Sequence, residues 1–423
     1  MPGRALTPQD CYALINQIAA EVEGLDGTMT AIDTSSFVSV GENILRAGYE
    51  NTLNAISLVV GRTLIAVRPY EAKLRILNTL NSGLFSNRIR KISYLSRWAQ
   101  PSGAFNTDLY INHAMGYDNG ANSGNSVGSM WEQNQPVPVE FNFAGSSVWD
   151  ESTTIYEDQL QQAFASVDNF ARFMEGVLTE KSNDIEQGKE NFNRATLLNY
   201  MAGLYDLQAD LTGAGLPGIL AVDCTAAFNA NNGGTTYTTT QLKTTYYKEF
   251  LEWFVAFVRK ISNMLTYRNA TYHLPVKKTI NGVDYWLLRH TPKSKQKLIL
   301  YKPMFIDAET KVLPEIFHDE KLQMTNYEGV DFWQDFTIPG GINVTPAIPD
   351  ITDLSTQKAG ATVALDNVIG VIFDEDAIAV DYQMDSSYST PVEARKRYRN
   401  IWWHFRKNSI NDFTEQGILL YMA

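Results

Sequence analysis

Apolar positions recur at helical spacing from the start of the chain. Over residues 8–24, Tyr12, Ile15, Ile18, Ala19 and Val22 fall on one face, with Thr7 placed as the cap. Polar, glycine-punctuated sequence then runs to about residue 60. The period changes to two at Val137, Val139, Phe141 and Phe143, which alternate with Pro138, Glu140 and Asn142, so a strand is predicted there. Upstream lies a Gly/Asn/Ser tract, Gly116–Ser129, that reads as the tip of a long hairpin. Two extended arms around a polar tip have little core of their own and must lie on something else.

A long helix follows over 166–203. Ser166 is its N-cap, Val167, Phe170, Met174, Val177, Leu178, Ile185 and Phe192 recur at helical spacing, and Gly203 is expected to close it. About 38 residues at 1.5 Å each span roughly 55 Å. The polar middle, Thr179–Asp184 and Glu186–Asn191, predicts a strut on the surface with a narrow buried stripe. A second block begins near residue 206, with an amphipathic helix over 241–265. Its Tyr247, Phe250, Leu251, Phe254, Val258, Ile261 and Leu265 point inward. Strands are predicted at 283–289, 297–301 and 368–373, which makes the block α+β. In the tail, Tyr398, Asn400, Trp402 and His404 alternate with Arg399, Ile401, Trp403 and Phe405, a strand with large side chains on both faces. Gly417–Met422 adds a final apolar strand.

Composition narrows the classes. A chain of 423 residues exceeds one ordinary core, so two or three domains are expected. Hydrophobic content of 44% against 19% charged describes a globular chain and excludes bulk disorder, collagen and coiled coil. A net charge of −12 argues against a dedicated nucleic-acid binder. Cys11 and Cys224 are too few and too far apart for a disulfide scaffold or a cysteine zinc site. No apolar stretch approaches the length of a membrane span, and Met1–Asp10 has no signal-peptide core. The expectation is a soluble protein made in a reducing cytoplasm.

Catalytic motifs fail their context tests. Gly213, Gly215 and Gly218 match the spacing of a dinucleotide loop, yet a helical stretch precedes them and Pro217 interrupts them, so a turn is expected. Ser126 within Gly124–Gly128 fits a nucleophile elbow but lies in the polar tract, without a buried strand to strain it. His113, His273, His290, His318 and His404 are scattered; His318-Asp319-Glu320 reads as a solvated turn, and Asp374-Glu375-Asp376 as a turn between two strands. No enzyme is predicted, and no catalytic, cofactor or metal residue.

Charge is strongly segregated. Arg62, Arg68, Lys73, Arg75, Arg88, Arg90, Lys91 and Arg97 face a single acid, Glu71. Residues 98–171 then hold no Lys or Arg, but Asp108, Asp118, Glu132, Glu140, Asp150, Glu151, Glu157, Asp158 and Asp168. The tail is basic again, with Arg395, Lys396, Arg397, Arg399, Arg406 and Lys407; a solvated edge and an intersubunit or DNA-facing surface both fit it.

An N-terminal arm, a long hairpin, one long helix, an α+β block and closing strands resemble, in that order, the major capsid proteins of tailed bacteriophages with the HK97-like fold. The wording is most similar to short-tailed phages of the phi29 kind. It is carried by Ile155, Gln159-Leu160, Ala163-Phe164, Ser166, Asn169-Phe170 and Phe173 at the entry to the long helix. Val371–Ile378 and the aromatic strand Tyr398–Phe405 carry it near the end. The resemblance implies an N-arm over 1–70, an E-loop over 71–155, a P domain of 156–205 plus 381–423, and an A domain over 206–380. It implies hexamers and pentamers closing an icosahedral shell around double-stranded DNA, with a portal, a separate scaffolding protein, and head accessory proteins as further partners. The location would be the virion, after synthesis in the host cytoplasm, with no membrane partner. A different class remains open: a carbohydrate-binding surface protein, for which richness in Trp, Tyr and Asn would supply stacking. A hydrolase would rest on Ser126 alone.

The lysine pattern yields a prediction. The namesake of the resembled fold joins an E-loop lysine to an asparagine of another subunit, a reaction that needs an amine in the loop. Between Lys91 and Lys181 this chain has no lysine. Denaturing gels of mature particles should show one band near 47.5 kDa, and a ladder surviving boiling would overturn this.

Overall fold

The structure is a computed structural model that describes residues 7–22, 30–48, 51–52, 55–56, 74, 77–80, 88–96, 136–144, 147–233, 235–280, 283–304, 327–351 and 356–423. The chain opens with helices α1 (Pro8–Glu21) and α2 (Thr34–Arg46), then strands β1 (Asn78–Leu80), β2 (Arg88–Leu95), β3 (Val137–Ala144) and β4 (Ser147–Tyr156). Helices α3 (Glu157–Phe164) and α4 (Val167–Ala214) follow, then β5 (Ala221–Asp223), α5 (Cys224–Asn231), α6 (Thr239–Thr244) and α7 (Tyr247–Met264). Next come β6 (Lys277–Ile280), β7 (Val283–Trp286), β8 (Gln296–Tyr301), β9 (Tyr327–Val330), β10 (Ile342–Val344), β11 (Ala347–Pro349), β12 (Gln357–Ala359) and β13 (Val363–Leu365). The closing strands are β14 (Val368–Asp374), β15 (Ile378–Ser389), β16 (Tyr398–Asn411) and β17 (Gly417–Tyr421).

Two sheets dominate. One has the order β1-β15-β16-β4, the other β5-β17-β14-β8-β9. Strand β14 sits in the middle of the second sheet and every residue is buried, because helices cover both faces. Ile299, Val371, Phe373 and Leu419 pack toward the second half of α4. Leu298, Leu300, Ile372, Ile418 and Leu420 pack toward α5, α6 and α7. The continuous apolar run Val368–Phe373 is the sequence mark of that two-sided burial. In the first sheet Ile401 and Trp403 face α1, α2, α3 and the start of α4.

Local sequence explains the starts of these elements. Thr7 and Asp10 form a capping box on α1, and the Ser166 hydroxyl accepts from the Asn169 N–H to open α4. Thr238 and Gln241 form another box on α6.

Several boundaries differ from expectation. Helix α1 stops at Glu21 rather than 24, because Val22 is already extended. The long helix does not end at Gly203 but runs through 48 residues to Gly215, which caps it with φ 64°. Gly203 has a packing role instead: a Cβ there would lie 2.4 Å from the Phe413 ring. The helix expected over 241–265 is two helices, broken where both Thr245 and Tyr246 donate to the Gln241 carbonyl. Strand β7 ends at Trp286, short of 289, and β16 starts at Tyr398 as expected but runs past Phe405 to Asn411. The closing strands are not a pair: β16 lies in the first sheet, while β17 crosses to the second and pairs with β14 and β5.

The middle of α4 also departs from the strut picture. Glu186, Glu190 and Asn193 are buried. Strands β15 and β16 cover them with polar groups of their own: the Tyr382 hydroxyl donates to the Lys189 carbonyl, and Lys407 Nζ to the Gly188 carbonyl. A polar layer therefore separates the two apolar clusters that flank it along the helix. The apolar stripe behaves as predicted at Val167, Phe170 and Met174, which are buried.

Stability measurements should separate these environments. Phe170 is fully buried between Phe37 and Phe164, with ring centroids 5.4 and 5.6 Å away, so Phe170→Ala should cost about 3–5 kcal/mol. Glu186, paired with Lys189 at 2.7 Å, is no solvent-side residue, and Glu186→Ala should cost about 1–3 kcal/mol. Denaturant unfolding checks both, and a Glu186→Ala value near zero would mean the polar layer is not closed.

Candidate assembly surfaces

Gly213 lies in the last turn of α4, Gly215 caps it and Gly218 follows in the connection to β5, while Asp374 ends β14 and Glu375 and Asp376 lie in the turn to β15. Asp374 is buried and accepts from the Thr291 hydroxyl at 2.7 Å, while Glu375 and Asp376 pair with Lys297 and Lys295. Ser126, His113 and His318–Glu320 lie outside the described residues, as does the hairpin tip expected at Gly116–Ser129. His290 is exposed, and the His404 ring rests on Tyr388 at 5.7 Å. Among the described residues no three His, Cys, Asp or Glu side chains are grouped to hold a metal, and no helix is long and apolar enough to cross a membrane.

What the structure brings together are surfaces. Strands β2 and β3 form the antiparallel arms expected of the hairpin, with Lys91 opposite Phe141 and Tyr94 opposite Pro138. Period-two alternation sends Leu95 and Val137 inward, against Val276 and Leu287 beside the small hairpin of β6 and β7. The opposite side leaves Ile92 and Tyr94 exposed, with Tyr94 at 62%. At the sheet of β1, β15, β16 and β4, Arg399, Ile401 and Trp403 are buried toward the helices. The alternate positions Tyr398, Asn400, Trp402 and His404 face away with Tyr156, Thr154 and the exposed Tyr388. Among the described residues no strand pairs with the outer edge of β4, where Val148 and Trp149 are exposed. Such aromatic and edge positions are suited to burial by another chain.

An ionic joint also holds the hairpin to the body, and sequence reasoning missed it. Lys91 Nζ donates to Asp412 at 2.7 Å and to Glu415 at 2.5 Å, both in the turn between β16 and β17. Arg289 reaches the same Glu415 at 3.2 Å and also donates to the Ser93 hydroxyl at 3.0 Å. Burial works against the Lys91 ammonium, but Asp412 and Glu415 outweigh it and hold its pKa above the ordinary value. For Glu415 burial prevails over both cations and pushes the carboxyl up. The available signal was alternation: Lys91, Ser93 and Leu95 share the inward face while Arg90, Ile92 and Tyr94 point out. Charge segregation is likewise partly settled inside the chain, by Lys181 with Glu151 at 2.7 Å and Arg90 with Glu140 at 3.6 Å.

Comparison with known proteins follows from this geometry. The sequence model of a family described as Phi29-like phage major capsid protein matches residues 111–420. No curated protein matches in sequence. Among solved structures, the capsid of Staphylococcus phage Andhra is similar at 11% identity and TM-score 0.48, covering 85% of this chain and 86% of that one. A chain from the structure of the head fiber and inner core protein of bacteriophage P68 aligns at 10% identity and TM-score 0.45, covering 84% and 86%. The mature capsid of bacteriophage PhiM1 aligns at 12% identity and TM-score 0.39, covering 84% and 88%.

Next to the joint, His273 is fully buried, with Nδ1 2.9 Å from the Leu274 carbonyl and Nε2 3.0 Å from that of Asn269. Burial is the largest influence and lowers its pKa; the two carbonyls and Asp412 oppose, and Arg289 assists. A depressed value means its contribution is present above about pH 6.5 and lost as pH falls through the folded value. Between about pH 7.5 and pH 5 the parent should lose more melting temperature than His273→Gln. Equal losses would show that the ring does not titrate in that interval.

Proposed function

Because the chain belongs to the Phi29-like phage major capsid protein family, we propose that it builds an icosahedral phage head from hexamers and pentamers of itself. The observation that carries this reading is the extent of the match, residues 111–420, which takes in the second hairpin arm, the long helix and every strand of both sheets except β1, save the last residue of β17. The α+β subunit with its HK97-like order of parts is a structural protein, and the role calls for surfaces rather than catalytic groups. Within it we assign the N-arm to 1–70, the E-loop to 71–155, the P domain to 156–205 with 381–423, and the A domain to 206–380.

The shell encloses double-stranded DNA, touched weakly and without sequence preference, since a net charge of −12 offers no general attraction to phosphate. A portal occupies one vertex, a separate scaffolding protein guides assembly, and head accessory proteins bind outside. The protein is made in the host cytoplasm and resides in the virion. Exposed Ile92, Tyr94, Trp149 and Tyr388 are the apolar groups that neighbouring copies cover.

Native mass and negative-stain microscopy of the purified protein test the reading: rings or shells are expected, and a persistent 47.5 kDa monomer under all assembly conditions would refute it. Charge should govern the rate. Raising salt from about 0.05 M to about 1 M shortens the screening length from above 10 Å to roughly 3 Å, so assembly of purified subunits should slow. An unchanged rate would remove electrostatic steering between the base-free segment 98–171 and the basic segments.

A further inference from the structure

The hairpin of β2 and β3 is attached to its own subunit at Ser96 and at Lys91, with an Arg289–Ser93 hydrogen bond of 3.0 Å between them. At its far end, Ser96 and Trp286 exchange backbone hydrogen bonds of 2.8 and 2.9 Å, and Leu95 and Val137 pack on Val276 and Leu287. Nearer the base is the Lys91 joint with Asp412 and Glu415. Five residues at about 3.3 Å each separate Lys91 from Ser96, so the two attachments are roughly 16 Å apart. A strand held at one point can swing; a second point fixes its direction. The apolar attachment is small: among the described residues those four are buried, with Val139, Phe141, Ile280 and Tyr285 partly buried against them. Direction therefore depends on the ionic one.

We propose that Lys91 is a positioning residue that pins the hairpin to the turn between β16 and β17 and so sets the direction in which the chain leaves β2. That turn joins the two sheets, since β16 belongs to one and β17 to the other. The pin consequently couples the hairpin's reach to the relative placement of the sheets in the same subunit. A neighbour seated on the hairpin would act on that placement through Lys91; this last step rests on the shell reading. Asp412 and Glu415 are both buried, so removal of the ammonium takes away the ion pair of Asp412 and leaves Glu415 paired with Arg289, among the described groups. The interval to Lys181 contains no other lysine to replace it.

Hydrogen exchange on purified subunits of the parent, Lys91→Met and Lys91→Arg tests the pin. Lys91→Met keeps the apolar stem and should raise exchange in 88–96 and 137–144 by about tenfold or more, leaving α4 and β14 unchanged. Lys91→Arg should stay near the parent. Exchange equal to the parent in the hairpin would overturn the proposal, and so would a rise spread equally over β14, which would mark Lys91 as a general stabiliser. Assembly of the same proteins tests the coupling: Lys91→Met should broaden the particle sizes, and a parent-like population would overturn it. Should the parent form no particles, the shell reading fails, while the exchange comparison still decides the pin.

Discussion

Both sheets of this subunit rest on one helix. At 48 residues α4 spans roughly 70 Å, long enough that no single apolar core could line it. Its two ends are buried in separate clusters, Phe170 and Met174 in one, Leu204, Leu207 and Leu211 in the other. Between them the helix passes under β15 and β16, where Tyr382 and Lys407 hydrogen-bond its carbonyls and Glu186 and Asn193 are buried. The N-terminal helices pack at one end of that axis and the five-stranded sheet at the other, while the hairpin is held by the turn between β16 and β17 and by Val276 and Leu287.

A subunit so arranged has much surface for its volume. The hairpin arms, the outer face of the sheet with Tyr388 and Trp402, and the outer edge of β4 are all poorly covered by the chain itself. In a protein that works alone such features would invite aggregation. Under the shell role proposed above they would be the places where copies meet, and that role asks for surfaces rather than a catalytic constellation.

The ionic joint shows how polar groups serve specificity here. Lys91, Arg289, Asp412 and Glu415 are costly to bury, and an apolar cluster of the same size could hold the hairpin as firmly. Charged groups with fixed partners instead select one registry, because any slip of β2 leaves buried charges unpaired. Packing of Leu95 and Val137 alone tolerates such slips more readily.

Local rules in the sequence determined much of this. Caps at Thr7 and Ser166, the stripe from Val167 to Met174, the alternation from Val137 to Phe143 and the unbroken run Val368–Phe373 each announce an element, since each depends on residues close in the chain. So does the family, through the order of those elements and the wording around Phe164 and Phe373. Tertiary structure decided what distance in sequence conceals. Gly203 reads locally as a stop, yet it is the gap that admits the Phe413 ring 210 positions later. Glu186 reads as solvated until Lys189 and the covering strands enclose it. Strand β17 looks like a partner for β16, but Gly417 and Ile418 find β14 instead. Lys91 reads as one basic residue among several, and only the fold brings it to Asp412 and Glu415, more than 300 positions away. Periodicity reports which face of an element is buried; it carries no information on which distant residue buries it.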